Sequence, residues 1–358
     1  MSIFGSALGF IDSSVVNIAL PIIQQELQAP LAVIQWITNG YLLTLASLVL
    51  IGGAAGDRWG TLRTFIVGLS VFTIASAICG VAPSASILIG ARILQGAGAA
   101  FLIPTSLALI SKNYRGEERA KAIGTWAASG GILMALGPPI GGWLVSTIGW
   151  RAVFFINIPV AAVALSLSTL IVLRAGDTHG RRLDVLGAAL ATATLAILTY
   201  GLVEVGKSNS VVGLTAVSLA LPLAVAFIIL ERGSSAPMIP MQLFANRTFA
   251  GVNTLTVILY GGLGAAVFLL PYSMIRLHFY TPAQAGFAFM PLSLTFGIGS
   301  RVFSPFIEKL GTRFLLSAGA IVIATGFATF SVFAENGSYS TTFLPGLILI
   351  GLGLTFAV

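Results

Sequence analysis

The chain has 358 residues, of which 57% are hydrophobic and only 8% are charged. Soluble domains carry about 25% charged residues, so no soluble core can hide this much apolar surface, and lipid is the expected solvent. The net charge of +7 does not indicate nucleic-acid binding, because the basic residues fall in short clusters between apolar runs. The single cysteine, Cys79, cannot form an intrachain disulfide. These features predict an integral membrane protein.

Apolar runs long enough to cross a bilayer recur along the whole chain. A spanning helix needs about 20 mostly apolar residues. The runs that fit are 2–23, 34–54, 64–82, 86–110, 122–145, 152–173, 185–203, 211–230, 249–271, 284–306, 314–334 and 342–358. The sequence therefore predicts an all-α membrane protein with about twelve transmembrane helices present.

The positions of lysine and arginine predict the orientation of these spans. One set of alternate loops holds thirteen of the 18 basic residues, the opposite set holds Arg151, Lys207 and Arg276, and the remaining two lie within spans. Because cytoplasmic loops carry the excess of positive charge, the first set is expected in the cytoplasm, together with the N-terminus. The prediction is a multi-pass protein of the plasma membrane, the inner membrane in a bacterium.

One carboxylate, Asp12, lies deep in the first span, where an ionisable group is costly and by default marks function. Asp12 lies nine residues before Pro21, the predicted outer end of that span. Arg92 lies nine residues after Pro83, the predicted outer end of the fourth span, so both are roughly 14 Å deep. We expect Asp12 to take up and release a proton, with Arg92 as its electrostatic modulator. The alternative is a static buried pair that joins the two helices.

Two further polar residues, Asn17 and Gln95, lie on the same two helices. They are candidates for lining a substrate pathway, and the alternative is hydrogen bonding between helices. No cluster of residues resembles a metal site, a nucleophile elbow or a phosphate-binding loop. The sequence therefore predicts no enzyme, no metal, no cofactor and no ATP-driven pump.

An internal repeat is visible at an offset of about 250 residues. The matching pairs are DRWGT (57–61) with EKLGT (308–312) and Gly68 with Gly319, both at 251, and GAGAAF (96–101) with GLGLTF (351–356) at 255. Parallel repeats of this kind occur in transporters and predict two pseudo-symmetric helical bundles. The second copy stops at Val358, within its fourth helix, so we expect the chain to be incomplete at its C-terminus.

Six motifs follow one another along the chain. They are IDSSVVNIALP in span one, GGAAGDRWGTLR after span two, ARILQGAGAAFLIP in span four, GPPIGG in span five, WRAVFFINIPV before span six and ERGSSAPMIPMQLFANRTF before span nine. Together they resemble the major facilitator superfamily, in its group of fourteen-helix drug:proton antiporters (the EmrB/QacA type). The resemblance covers the whole chain and implies the major facilitator fold, and twelve helices out of fourteen agree with the expected truncation.

The resemblance gives the loop after span two a role as a gating latch that stabilises the outward-facing state. The residues of this loop motif are Gly53, Gly56, Asp57, Arg58, Gly60 and Arg63. The alternative is a solvated loop whose charges only set the topology.

The sequence GPPIGG lies in the middle to outer part of span five. Pro138 and Pro139 remove backbone donors, which predicts a bend. Gly137 and Gly141 are four residues apart and allow close helix contact. By resemblance, this antiporter helix, which includes Gly142, packs against the opposite bundle and seals the pathway. The alternative is a structural kink with no role in exchange.

The implied organisation is an N-terminal six-helix bundle (1–173), a two-helix bridge with cytoplasmic segments (174–248) and a partial C-terminal bundle (249–358). The implied function is efflux of a lipophilic drug or metabolite in exchange for protons by alternating access. Its partners are the lipid bilayer, protons and a small-molecule substrate, with no nucleic acid. A proton-coupled importer or facilitator on the same fold, and a non-transporting truncated fragment, stay open as alternatives.

Overall fold

Helices make up the regular structure of the described chain. The computed structural model describes residues 1–169, 185–206, 210–234, 241–303, 311–332 and 338–357. In chain order these ranges contain α1 (Ser2–Glu26), α2 (Leu31–Trp59), α3 (Thr61–Val81), α4 (Ala85–Asn113), α5 (Gly116–Thr147), α6 (Ala152–Phe155), α7 (Asn157–Thr169), α8 (Val185–Val205), α9 (Ser210–Gly233), a 3-10 helix (Met241–Ala245), α10 (Arg247–Arg276), α11 (Pro282–Ala288), α12 (Met290–Phe303), α13 (Thr312–Val332) and α14 (Tyr339–Ala357).

Eleven stretches of the described residues are long and apolar enough to cross a membrane. They confirm the predicted all-α membrane fold. The predicted span 284–306 contains a one-residue break, because α11 ends at Ala288 and α12 begins at Met290, and its last residues, 304–306, lie outside the described residues. Pro291 lies in the first turn of α12, and a proline has no N–H with which to continue the hydrogen bonding of α11. This missing donor accounts for the break.

α3 and α4 cross with their backbones in contact at a pair of glycines. A Cβ atom added to Gly68 would lie 3.0 Å from the carbonyl oxygen of Gly98, and one added to Gly98 would lie 2.9 Å from that of Gly68. α13 and α14 cross in the same way, at Gly319 and Gly353, with corresponding distances of 2.7 and 2.8 Å. The second pair follows the first by 251 and 255 residues, the offsets of the sequence repeat. Small residues let spanning helices approach this closely.

A second equivalence joins α2 to α4 and α12 to α14. A Cβ atom on Gly96 would collide with the carbonyl oxygen of Tyr41, and one on Gly351 would lie 2.6 Å from that of Leu292. Leu292 follows Tyr41 by 251 residues, and Gly351 follows Gly96 by 255. Both equivalences support the internal repeat, although residues 308–310 of the EKLGT match lie outside the described residues.

Contacts divide the chain into two compact units, each with its own core. The first unit comprises Met1–Gly9, Ile22–Ala127 and Arg151–Val257, and the second comprises Phe10–Pro21, Ala128–Trp150 and Ile258–Val358. The first core contains Phe65 and Phe72, and the second contains Met274 and Leu347. α1 and α5 contribute to both units. The predicted divisions at 173 and 248 stay a prediction, and residues 170–184 around the first lie outside the described residues.

The two helices of the predicted bridge, α8 and α9, pack against each other at a small residue. A Cβ atom on Gly213 of α9 would collide with the backbone nitrogen of Val205 at the end of α8. On α8, the Tyr200 ring centroid lies 6.3 Å from that of Trp36 on α2. The pair is therefore packed in the first unit, with α2 as a neighbour.

Candidate functional site

Asp12 is completely buried in α1, with 0% of its surface exposed. It lies within the spanning stretch Ser2–Glu26, about two turns before Pro21. An ionised carboxylate at such a position is costly, and this cost makes Asp12 a functional candidate on physical grounds. Proton uptake removes the charge and with it most of the cost.

Asn17 lies five residues further along α1 and is 7% exposed. Its amide nitrogen donates to the carbonyl oxygen of Ser13 at 3.0 Å. Its Oδ1 atom is buried, and among the described residues no hydrogen-bond partner for that atom is found. A buried acceptor of this kind gains free energy when a water or a substrate donor reaches it. The geometry is therefore compatible with the predicted pathway role.

Arg92 is held in the interior of the first unit, with 1% exposure. Its Nε atom donates to the carbonyl oxygen of Ile37 on α2 at 3.1 Å. Its Cζ atom lies 4.1 Å from the ring centroid of Tyr41, within the range of a cation–π interaction. Because Arg92 and Asp12 fall in different units, the pairing of these two side chains stays a prediction.

Gln95 lies one turn after Arg92 and is completely buried. Its Oε1 atom accepts a hydrogen bond from Arg92 Nη1 at 2.7 Å. The same atom accepts from the Cys79 thiol of α3, with a distance of 3.6 Å between the heavy atoms. Gln95 thus hydrogen-bonds between helices, which is the alternative that the sequence left open beside a pathway role.

The loop motif between α2 and α3 is tied to the end of α4. The Asp57 carboxylate lies 3.6 Å from Lys112 Nζ. Lys112 Nζ also donates to Thr61 Oγ1 at 2.6 Å, and Thr61 Oγ1 donates to the Gly56 carbonyl oxygen at 3.3 Å. Lys112 therefore joins the end of α4 to both sides of the α2–α3 turn.

The other residues of the loop motif surround this contact. Gly60 adopts φ 97°, a left-handed conformation that favours glycine, and its repeat equivalent Gly311 adopts 77°. A Cβ atom on Gly53 would lie 3.8 Å from the Pro104 side chain, in ordinary contact, so this glycine has room for a side chain. Arg58 and Arg63 are exposed at the turn. Their charges are thus available to the solvent or the lipid headgroups.

The antiporter motif packs α5 against α1. A Cβ atom on Gly137 would collide with Ser14 Oγ, and one on Gly141 would lie 3.0 Å from the Val15 carbonyl oxygen. The helix continues through both prolines of the motif, from Gly116 to Thr147. The close contact that the spacing of the two glycines predicts is therefore present, with α1 as the partner helix.

The same motif also touches α11. A Cβ atom on Gly142 would collide with the carbonyl oxygen of Pro282, and one on Gly286 would collide with that of Pro138. Beside this contact, the backbone N–H of Ala283 donates to Ser146 Oγ at 3.0 Å. The two backbones are thus in direct contact, with glycines on both sides.

Sequence reasoning missed three residues of these contacts. They are Lys112, Ser146 and Gly286. Lys112 entered it only as a loop charge, and the other two not at all. Each touches a segment at least 50 residues away in the sequence, and a contact at that separation leaves no local pattern. The only available signal was charge, since Lys112 is basic and its partner Asp57 is acidic.

The chain matches the family described as Major Facilitator Superfamily over residues 2–358. It is 31% identical to the methylenomycin A resistance protein of Streptomyces coelicolor, over 98% of this chain and 74% of that protein. It is 32% identical to the multidrug resistance protein Stp of Mycobacterium tuberculosis, over 96% of this chain and 64% of that protein. It is 32% identical to the tetracenomycin C resistance and export protein of Streptomyces glaucescens, with the same coverages, 96% and 64%. The chain thus spans about two thirds of these relatives.

Solved structures agree on the fold. The crystal structure of the peptide transporter POT in complex with sulfate matches with a TM-score of 0.71 at 14% identity, over 99% of this chain and 79% of that chain. The D-xylose-proton symporter matches with a TM-score of 0.65 at 13% identity, over the same shares of 99% and 79%. From the family match and the relatives above 30% identity, we conclude that the chain belongs to the major facilitator superfamily and is a multi-pass membrane protein of a transporter family rather than an enzyme.

Proposed function

We propose that the protein is an efflux transporter that exchanges a lipophilic small molecule, such as an antibiotic, for protons. Resistance or export is in the names of the relatives reported above, which supports the direction of transport. The observation that carries the exchange is Asp12, which is completely buried in a membrane-spanning helix. A group that is costly when charged and cheap when neutral is suited to bind and release a proton during a transport cycle.

The coupling follows from the charge of Asp12. With the carboxylate ionised, the state that brings it near a positive group, Arg92 in our proposal, is favoured. When the carboxyl group is protonated, that attraction is lost and the population of a second state rises. Substrate and proton can each shift this equilibrium only by their different affinities for the two states. Exchange results when the proton favours one state and the substrate favours the other.

The loop motif and the antiporter motif supply two gates in this cycle. The Asp57–Lys112 contact supports a latch at the predicted cytoplasmic side, because it joins the α2–α3 turn to α4. The contact between Gly142 and α11 supports a seal on the predicted outer side. In alternating access, gates on opposite sides open in turn around a central site. Asn17 Oδ1 is the acceptor that we assign to the pathway.

The test is efflux from cells and uptake into everted membrane vesicles that carry a pH gradient, with the protein produced in a strain lacking other exporters. Methylenomycin A, tetracenomycin C and lincomycin are the first compounds to try, since relatives are named for them. We expect Asp12→Asn to abolish uptake driven by the pH gradient. The matched control is Glu117→Gln, because that carboxylate is 83% exposed and pairs with Lys121 on its own helix.

Proton-driven uptake by Asp12→Asn at the wild-type rate would contradict the coupling role. Substrate movement out of everted vesicles, rather than into them, would favour the importer. A wild-type protein that moves none of a broad panel of compounds, while it is folded and present in the membrane, would contradict the efflux proposal as a whole.

A further inference from the structure

We propose that Tyr41 is a positioning residue for proton exchange, because its ring holds the Arg92 guanidinium and its far end lies beside α1, one turn before Asp12. The proposal rests on the exchange function proposed above. It deepens that function by assigning the residue that connects the modulator to the helix of the proton-carrying carboxylate. Tyr41, Arg92 and the part of α1 that ends at Gly9 all belong to the first unit.

The ring of Tyr41 is the nearer of two aromatic faces around the guanidinium of Arg92. The Arg92 Cζ atom lies 4.1 Å from the centroid of this ring and 5.9 Å from that of Phe154 on α6. A cation is attracted more strongly by the nearer ring, and most strongly where water is excluded. Arg92 and Tyr41 are each only 1% exposed. The contact with Tyr41 is therefore a main part of what keeps the cation in place.

The position of Tyr41 relative to Arg92 is set by the packing of α2 on α4. A Cβ atom on Gly96, one turn after Arg92, would collide with the carbonyl oxygen of Tyr41. One turn before Tyr41, the carbonyl oxygen of Ile37 accepts a hydrogen bond from Arg92 Nε at 3.1 Å. The two helices are thus in contact on both sides of the cation–π pair, and this fixes the distance between the two backbones.

The far end of the Tyr41 side chain reaches α1. A Cβ atom on Gly9 would lie 3.7 Å from the Tyr41 hydroxyl oxygen, an ordinary contact distance. Asp12 follows Gly9 by three residues, or about one turn of α1. One buried side chain therefore touches the guanidinium with its ring face and α1 with its far end. A change in the charge of Asp12 that moves Arg92 or α1 must alter the surroundings of this ring.

The second copy of the repeat shows that packing alone does not need these polar residues. At the offsets of the repeat, Leu292 is the equivalent of Tyr41, and Leu347 is the equivalent of Arg92. Both leucines pack in the hydrophobic core of the second unit, Leu347 with 0% exposure. α12 and α14 thus make their close contact with apolar side chains at these two positions. Because a buried cation costs free energy, the tyrosine–arginine pair of the first copy points to transport rather than to folding.

The first test separates a role in proton coupling from a role in packing. Tyr41→Leu places the residue of the second copy in the first, so the protein should fold, but the ring face is lost. Uptake into everted vesicles driven by a pH gradient should fall about tenfold, the size that corresponds to losing a buried cation–π contact. Counterflow, the exchange of labelled for unlabelled substrate without a pH gradient, needs no net proton transfer and should continue at the wild-type rate.

Two further variants complete this test. Tyr41→Phe keeps the ring face and should restore uptake driven by the pH gradient. Phe65→Leu is the matched control, because it also replaces a buried ring of the first unit with leucine. Poorer packing lowers driven uptake and counterflow together, so the ratio of the two rates should be unchanged in Phe65→Leu and should fall in Tyr41→Leu.

The second test needs no substrate. A fluorine-labelled phenylalanine is incorporated at position 41 of the full chain, in a Cys79→Ala background, and its fluorine NMR signal is followed with pH in lipid nanodiscs. Two titratable side chains occur in the described contacts of Arg92 and Gln95, Tyr41 itself and the Cys79 thiol, and both are absent from this protein. The signal should therefore follow Asp12.

The signal at position 41 should shift with pH, and adding Asp12→Asn should abolish that dependence. Arg92→Gln should displace the signal at every pH, because it removes the cation from the ring face. The same label at position 65, in the core of the first unit, should respond to none of these changes.

A signal at position 41 that does not change with pH, in protein shown to be folded by circular dichroism and gel filtration, would overturn the proposal. So would equal falls of driven uptake and counterflow in Tyr41→Leu. If the signal responds as expected in a protein that transports nothing, the proposed function fails and the positioning role stands. If Asp12→Asn abolishes driven uptake while Tyr41→Leu leaves it unchanged, the proposed function stands and the role of Tyr41 fails.

Discussion

Gln95 accepts a hydrogen bond from the guanidinium of Arg92 at 2.7 Å, one turn apart on α4, and both side chains are almost completely buried. A buried cation is tolerated only where hydrogen bonds and π faces replace its water. Here the Ile37 carbonyl oxygen and the Tyr41 ring supply two further contacts. Gln95 is therefore part of what keeps a charged arginine inside the first unit, and it also positions the group that we propose as the modulator of Asp12.

Replacing Gln95 with leucine should destabilise the protein by about 1.5–3 kcal/mol, because a hydrogen bond to a charged group is lost and the buried Nη1 atom loses its acceptor. The measurement is the midpoint of thermal unfolding in a fixed detergent. Gln25→Leu is the control, because this glutamine is exposed near the end of α1 and its replacement should leave the midpoint unchanged. Equal midpoints for Gln95→Leu and the wild type would show that Arg92 does not depend on Gln95.

The glycine pairs of the two repeat copies predict equivalent effects of one methyl group. A Cβ atom on Gly98 would lie 2.5 Å from the Phe72 backbone nitrogen, and one on Gly353 would lie 2.8 Å from that of Ile323. Gly98→Ala and Gly353→Ala should each cost about 1–3 kcal/mol, since a backbone cannot yield as a side-chain end can. Thermal unfolding again reports the effect.

Gly90→Ala is the control for these variants, because it lies on α4 with nothing within 4 Å of the added atom. It should be neutral or slightly stabilising, since alanine favours a helix over glycine. A loss of stability in Gly98→Ala without one in Gly353→Ala would mean that the two copies do not share this packing.

The sequence predicted most of the fold because lipid leaves few choices. A backbone in a bilayer must satisfy its own hydrogen bonds, so apolar runs of sufficient length become helices. The glycines of the repeat were visible as residue types, and the structure gives them the close contacts that small residues allow. The predicted span 284–306 is divided at Phe289 in the structure, a local effect of Pro291 that length and hydropathy do not show.

The sites were harder to predict, because a partner depends on which faces of two helices meet. Asn17 and Gln95 are equivalent in the sequence, as polar residues on apolar helices. In the structure, Gln95 accepts a hydrogen bond from Arg92. Asn17 Oδ1 is buried, and among the described residues no donor to it is found. Likewise, the sequence shows Lys112 only as one of several neighbouring basic residues. In the structure it lies at the end of α4, where its Nζ atom contacts the Asp57 carboxylate.

The orientation of the chain can be tested at exposed positions. Leu277 is 69% exposed in the turn after α10, which the charge pattern places outside. Tyr114, 46% exposed after α4, is placed in the cytoplasm. In a Cys79→Ala background, a membrane-impermeant maleimide added to intact cells should label Leu277→Cys and not Tyr114→Cys, and it should label both after permeabilisation. Labelling of Tyr114→Cys in intact cells would reverse the predicted topology.

The Asp57–Lys112 contact should affect transport more than stability. The two side chains are 54% and 50% exposed, and an exposed ion pair contributes only about 0–1 kcal/mol to folding. A latch acts through the balance between two transport states, where about 1 kcal/mol, the upper end of that range, changes an equilibrium about fivefold. We therefore expect Asp57→Asn and Lys112→Gln to lower efflux several-fold with an unchanged unfolding midpoint.

The two changes should not add, because they remove the same contact, so the double variant should transport about as well as either single variant. The comparison is the Glu117–Lys121 pair on α5, which is also exposed, with 2.8 Å between Nζ and Oε1, and lies on one helix. Removing it should leave efflux unchanged, because no second element is joined by it. If the losses of efflux add in the Asp57→Asn/Lys112→Gln variant, the two residues act separately. Asp57 would then affect the loop through its charge alone.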